Sequence, residues 1–180
     1  MGRPKPLLPL GGQTFLSAAS NAFLEAFEPV IVVLGHEADE IEKEVGLDRR
    51  VQVVRNREYD RGMLSSLQCG IAALPPDAEA AAFTLVDHPA VRVSTLWALA
   101  DHFRHSGADV VLPRCQGERG HPVIVKRTVL DELAAMPSGA SPKPVLRERR
   151  TEASFLDVDD PGVVADVDTP EDYQRLLDSR

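Results

Sequence analysis

Apolar residues fall along this chain in two rhythms. The first is the continuous run of a strand covered on both faces. Val30-Ile31-Val32-Val33-Leu34 ends in Gly35, and Val51-Gln52-Val53-Val54 is short and β-branched. Ala81 to Val86 ends in Asp87, and Asp109-Val110-Val111-Leu112-Pro113 follows Gly107. Pro122-Val123-Ile124-Val125 follows Gly120-His121, while Phe155 to Val158 and Val163 to Val167 are weaker runs. The second rhythm is helical. Phe15, Ala19, Phe23 and Phe27 recur every four residues, which predicts an amphipathic helix over Thr14 to Phe27. Further helices are predicted over Ala38 to Val45, Leu64 to Leu74 and Thr128 to Met136, and from a Ser94 cap to about Ser106. Thr169-Pro170-Glu171-Asp172 opens the last, with Thr169 as N-cap, Pro170 at the first helical position and Asp172 completing a capping-box variant. Strand and helix alternate, so the pattern predicts one α/β domain over residues 1–180 with a mostly parallel sheet. Pro137 to Pro144 reads as a loop.

Composition narrows the class. The 180 residues suit one domain with a real core. Hydrophobic residues at 43% and charged residues at 27% are ordinary for a soluble globular protein. The net charge of -8 argues against general nucleic-acid binding, which calls for a basic footprint. It leaves room for a small anionic substrate in a cleft with local basic residues. No apolar run approaches the roughly 18 residues of a membrane span. Leu7 to Gly12 is too short and proline-broken for a signal-peptide core, so the expected location is cytoplasmic. Cys69 and Cys115 have no metal-ligand spacing and form no disulfide framework; they read as small, buried or half-buried residues.

Ligands of open α/β sheets bind beyond the carboxyl ends of the strands. Asp87 and Asp168 both follow apolar runs there. Each carboxylate can hold a hard cation such as magnesium, or Asp87 caps a turn and Asp168 sits near a helix dipole. Two such aspartates fit a shared cation better than either alone. Asp166 alternates with Asp168 and shares its face, a third and weaker candidate. Arg3 and Lys5, set among prolines, bind phosphates or form a solvated basic start. Gly62-Met63-Leu64-Ser65-Ser66 leads into a helix whose N-terminus can hold a nucleotide, or the serines merely cap it. In Gly120-His121-Pro122, His121 contacts substrate or braces a loop.

In order along the chain, these segments resemble the MobA-like nucleotidyltransferases and, within them, the molybdenum cofactor cytidylyltransferase branch. Met1-Gly2-Arg3-Pro4-Lys5-Pro6-Leu7-Leu8 is similar to the family's RMGxxKxLL segment, and Gly62 to Leu67 to its GMxSSL. Leu85-Val86-Asp87-His88-Pro89 resembles its D-x-P, Arg119-Gly120-His121-Pro122-Val123 its RGHPV, and Asp166 to Asp172 its D-[IV]-[DN]-TPED. His88 stands where the family often has Gln or Met. Ser138 to Pro144 lacks the usual Gly-x-[RK]-Gly, with Lys143 as the nearest basic residue.

The resemblance implies a Rossmann-like nucleotidyltransferase fold with a three-layer α/β/α sheet. It implies that Lys5 holds the triphosphate with Arg3 as helper, and that Gly62, Met63, Ser65 and Ser66 line the nucleoside side. Asp87 and Asp168 would hold Mg2+, and Gly120, His121 and Pro122 would border the second substrate. The expected reaction is transfer of CMP, or another NMP, from an NTP to a phosphorylated pterin such as molybdenum cofactor, with a molybdoenzyme or maturation factor as possible partner. A catalytically silent nucleotide- or cofactor-binding module and a sugar-phosphate nucleotidyltransferase are the alternatives. The family's opening strand and its LAAGxSxR loop, which would precede Met1, have no counterpart here, so the chain is expected to be N-terminally truncated.

Overall fold

The computed structural model describes residues 3–137, 139–141, 143–150 and 153–178. In chain order the elements are β1 (Pro9–Leu10), β2 (Gln13–Thr14), α1 (Phe15–Leu24), β3 (Val30–Leu34), α2 (Ala38–Glu44) and β4 (Val51–Arg55). Then come α3 (Met63–Ala72), β5 (Ala80–Phe83), α4 (Val93–Ser106), β6 (Val110–Cys115), β7 (Glu118–Arg119) and β8 (Val123–Lys126). The chain closes with α5 (Arg127–Ala135), α6 (Lys143–Arg150), β9 (Ser154–Asp157) and α7 (Pro170–Asp178).

The α/β expectation holds, and alternation along the strands shows the layers. Val110 and Leu112 of β6, with Val123 and Val125 of β8, pack against Leu64 of α3 and Val129, Leu130 and Leu133 of α5. Val111 and Ile124 point the other way, onto Leu99 and Phe103 of α4 and onto Phe27. Side chains of successive strand residues leave opposite faces, so one apolar run serves both helix layers. The pairing is mixed rather than mostly parallel. β3 and β4 are parallel, as are β6 and β9. β8 lies antiparallel to both β5 and β6 because the chain reverses through the Gln116–Gly117 turn.

Three sheets divide the strands, one of them the antiparallel pair β1–β2. β3 pairs with β4 alone, and the larger sheet runs β5-β8-β6, with β7 and β9 both on β6. Among the described residues, β3 and β5 therefore each leave one edge unpaired. No described helix is long and apolar enough to cross a membrane.

Local capping signals explain the starts of α1 and α7. Thr14 caps α1, accepting from the Ser17 amide while Ser17 returns a bond to Thr14. At α7, Asp172 accepts from the Thr169 amide (2.8 Å) and hydroxyl (2.7 Å), as the capping pattern predicts. Three expectations need correction. The strand over Ala81 to Val86 stops at Phe83, where the ladder with Val123 ends. Val163 to Val167 is no strand: Pro161–Val163 forms a 3-10 turn, closed by Val164 bonding back to Pro161. Ser94 is not the cap of α4, which begins after Arg92. Its opening donors go instead to Asp160, which accepts from the Arg92 amide (2.9 Å) and the Thr95 hydroxyl (2.7 Å). Of the loop expected over Pro137 to Pro144, Lys143 and Pro144 open α6, and positions 138 and 142 lie outside the described residues.

Candidate functional site

The opening segment is folded by two short-range bonds, Leu7 N–H to Pro4 O (2.9 Å) and Leu8 N–H to Lys5 O (3.1 Å). They turn Leu7 into the cluster of Val32, Leu34, Ile41 and Val45. Leu8, the next residue, enters the cluster of Leu10, Phe15, Val167 and Leu176. Just ahead of these anchors Lys5 reaches the far end of the chain, where its Nζ donates to Asp168 Oδ1 at 2.5 Å.

Asp87 lies in a turn beyond β5, closed by the His88 amide on Leu85 O (3.2 Å), and its own carbonyl accepts from the Val167 amide at 3.0 Å. That bond brings Asp87 beside the 166–168 segment. The structure thus brings Lys5, Asp87 and Asp168 together, although neither aspartate ends a strand. The Oδ1 of Asp87 is buried without a hydrogen-bond partner, although its side chain keeps 23% exposure. His88 is next to it, with Nε2 3.8 Å from that oxygen and a side chain only 10% exposed. Burial pushes the His88 imidazole below its ordinary 6.5, against the opposing pull of the Asp87, Asp166 and Asp168 carboxylates.

Gly120, His121 and Pro122 form the adjoining wall. The Gly120 amide donates to Pro113 O (3.0 Å) and the His121 amide to Val163 O (2.8 Å). A Cβ on Gly120 would stand 2.1 Å from Val163 O, so only glycine allows this approach. The His121 ring stacks on His88 at 4.7 Å and meets the edge of Phe83 at 6.4 Å.

Gly62, Met63, Ser65 and Ser66 form a second group, held separately. Gly62 has φ +94° and ψ -178°, a conformation essentially reserved for glycine, and gives α3 no side-chain cap. The Ser65 amide bonds back to Gly62 O at 3.1 Å, and no capping side chain covers this helix start. The serine hydroxyls are engaged internally. Asn56 Nδ2 donates to Ser65 Oγ (2.8 Å) and Ser66 Oγ (3.1 Å), and Ser65 Oγ bonds the Gly62 carbonyl (2.8 Å). Met63 stays exposed. Arg3 turns elsewhere, pairing with Glu44 at 2.6 Å. A cavity of about 560 Å3 beside it is lined by Thr14, Ser17, Asn21 and Glu44 and includes neither Asp87 nor Asp168.

Sequence reading passed over Asn56, which holds both serines, and gave His88 no role. A polar residue directly after the β4 run was a usable signal for Asn56, by the same carboxyl-end rule that singled out Asp87.

Two carboxylates beside one amine are groups that could share a divalent cation and phosphate oxygens. Among the described residues no three His, Cys, Asp or Glu side chains stand in a ready-made coordinating array. A hard cation needs no such cage when one or two carboxylates and substrate phosphates complete its shell. The buried, unpartnered Asp87 Oδ1 fits that role.

Known proteins agree with this architecture. The family model for the MobA-like NTP transferase domain matches residues 1–153. The chain is similar to Rv0371c from Mycobacterium tuberculosis H37Rv, at 32% identity and TM-score 0.83, covering 100% of this chain and 92% of that one. A structure of Rv0371c in complex with manganese matches at 31% identity and TM-score 0.76, covering 98% and 92%. A nucleotidyl transferase from Methanothermobacter thermautotrophicus matches at 29% identity and TM-score 0.80, covering 97% and 84%. Among curated proteins there is no match. With its α/β layers, its family match over residues 1–153 and these relatives, the chain belongs to the MobA-like NTP transferase domain family and is a nucleotidyltransferase.

Proposed function

We propose that this nucleotidyltransferase moves CMP from CTP to the terminal phosphate of a pterin-type acceptor such as molybdenum cofactor, in the cytoplasm. The product would pass to a molybdoenzyme or its maturation factor. The observation that carries the proposal is the convergence of Lys5, Asp87 and Asp168, through the 2.5 Å ion pair and the Val167–Asp87 bond. Residues 1–180 act here as one domain, supported by the Tyr173 hydroxyl of α7 donating to Pro9 O at 2.7 Å.

An acceptor phosphate oxygen would attack the α-phosphorus of CTP, and the bond to the β-phosphate oxygen would break, so that pyrophosphate leaves with the electron pair. The nucleophile is already ionised, so no general base is required. Asp87 and Asp168 would hold a divalent cation, Mg2+ being the ion that the family resemblance implies; the manganese complex of the relative Rv0371c supports a divalent site and leaves the choice of ion to the residues around it. When bound, the cation supplies charge neutralisation and orientation of the phosphates. Lys5 and Asp168 neutralise each other while nucleotide is away. On binding, Lys5 would turn from Asp168 to the β- and γ-phosphates and stabilise the leaving pyrophosphate. The α3 start at Gly62 and Met63 would face the nucleoside, with Ser65 and Ser66 fixing the turn. Gly120, His121 and Pro122 would border the acceptor. Arg3 would assist only after leaving Glu44.

The test is pyrophosphate release from CTP, GTP and ATP with a molybdopterin acceptor. CTP should give the highest kcat/KM. A preference for GTP would replace the cytidylyl assignment with a guanylyl one, and no release with any of the three would favour a silent binding module.

A further inference from the structure

His88 belongs to no function assigned so far, yet its side chain is nine-tenths buried beside the proposed cation site. The Oδ1 of Asp87 is buried without a hydrogen-bond partner, and the His88 nitrogen that faces it is Nε2. An unsatisfied buried acceptor costs about 1–3 kcal/mol, so this bare carboxylate oxygen calls for an explanation. The ring is also held in place: it stacks on His121 at 4.7 Å, while its Nε2 lies 3.8 Å from Asp87 Oδ1. That gap is too long for a hydrogen bond. Two ligand atoms at right angles, each about 2.1 Å from one cation, stand about 3 Å apart. A modest rotation of either side chain closes the difference.

We infer that His88 is an imidazole ligand of the divalent cation held by Asp87 and Asp168, and that it makes the site select a first-row transition ion such as Mn2+ over Mg2+. The inference rests on the cation reading of the proposed function and adds a specificity-determining residue to it. An all-oxygen site suits magnesium, whereas an imidazole nitrogen favours first-row transition metals. The array is not preformed because Asp168 is engaged by Lys5; Lys5 leaves it when phosphate arrives.

The test uses the full chain with Mn2+ alone and with Mn2+ plus pyrophosphate, which contains no nitrogen. Pulsed electron paramagnetic resonance reads nitrogen coupled to the bound ion, and the free-ion signal reads affinity, with Mg2+ as competitor. Directly coordinated nitrogen should appear in the parent chain and vanish in His88→Gln. Losing even a supporting contact of a metal ligand costs about 10–100-fold in affinity, so Mn2+ binding should weaken by at least about tenfold while Mg2+ binding changes less. His121→Gln should keep the nitrogen signal. Far-UV circular dichroism checks that the variants fold. Mn2+ that binds the parent chain, is lost in Asp87→Asn and shows no coordinated nitrogen overturns the role of His88 and leaves the cation site standing. Nitrogen that survives His88→Gln overturns it as well. If Mn2+ fails to bind, or binds regardless of Asp87→Asn, the cation reading fails and this inference falls with it.

Discussion

Asp87 carries a conflict between stability and use. Its buried Oδ1 finds no donor, and an unsatisfied buried acceptor costs about 1–3 kcal/mol, more when charged. Asp87→Asn keeps the shape and removes the charge. Its melting temperature should equal or exceed that of the parent chain, while metal-dependent turnover falls by orders of magnitude. Near-normal turnover would remove Asp87 from the site, and a much lower melting temperature would show that its charge is satisfied in solution. Gly120 behaves oppositely. The Val163 carbonyl that a Cβ would strike is held by the His121 amide at 2.8 Å, so it cannot simply swing away. Overpacking costs about 1–3 kcal/mol, and more when backbone must move, so Gly120→Ala should lose about 3 kcal/mol in chemical denaturation. An alanine variant as stable as the parent would mean that the two segments do not touch. Asp87, Lys5 and Asp168 were legible in the sequence because each is flanked by punctuating prolines, strand-like runs or a capping motif. His88 and Asn56 were not singled out, because their roles come from neighbours distant in sequence: His121 for the first, Ser65 and Ser66 for the second.

At the level of elements, β9 is fastened by a pair that titrates. Arg114 of β6 and Asp157 of β9 face each other in the parallel ladder, with bonds of 2.6 and 2.8 Å. The hydrogen bond from Arg114 holds the Asp157 carboxyl below its ordinary 3.8. A carboxyl depressed in the folded state stabilises at pH values above its unfolded pKa, and that contribution disappears as pH falls through the folded value. Asp157→Asn should therefore lower stability slightly at neutral pH and flatten the decline below pH 3.8, as followed by denaturation across the acid range. An acid limb unchanged in the variant would leave the pair without weight in β9 docking. Helices other than α6, which was not foreseen, were read closely because their period is local: Phe15 and Ala19, or Thr169 and Asp172, lie within one turn of each other. Strand ends were read less well, because an apolar run reports burial rather than ladder bonding. Val86 and Val167 are apolar because they pack with Leu8 and Phe15, although neither lies in a strand. The start of α4 was hidden for a related reason, since its cap, Asp160, is 2% exposed and comes from a turn far along the chain.

Across the whole molecule, β3–β4 and the larger sheet are separate hydrogen-bonded units joined through helices and the opening segment. Unpaired strand edges are templates for another chain. Light scattering after size exclusion should show mass rising with protein concentration, and amides of β3 that point away from β4 should exchange faster than those of β8. A constant single-chain mass together with equal protection would show that both edges are covered in solution. The alternation of elements foretold the layers, but not this division, because pairing partners are set by how loops return and not by the runs themselves. The segment around Lys5 has a consequence for biosynthesis. Lys5 meets Asp168 at a separation of 163 residues, Pro9 meets Tyr173 at 164, and Leu8 and Leu10 share a cluster with Leu176. Residues 5–10 must wait for residues 168–176, which are made after them. The β3–β4 unit can form early during translation, yet the gathering of Lys5, Asp87 and Asp168 is completed only once the 166–176 segment has emerged, so the proposed site cannot assemble on a half-made chain.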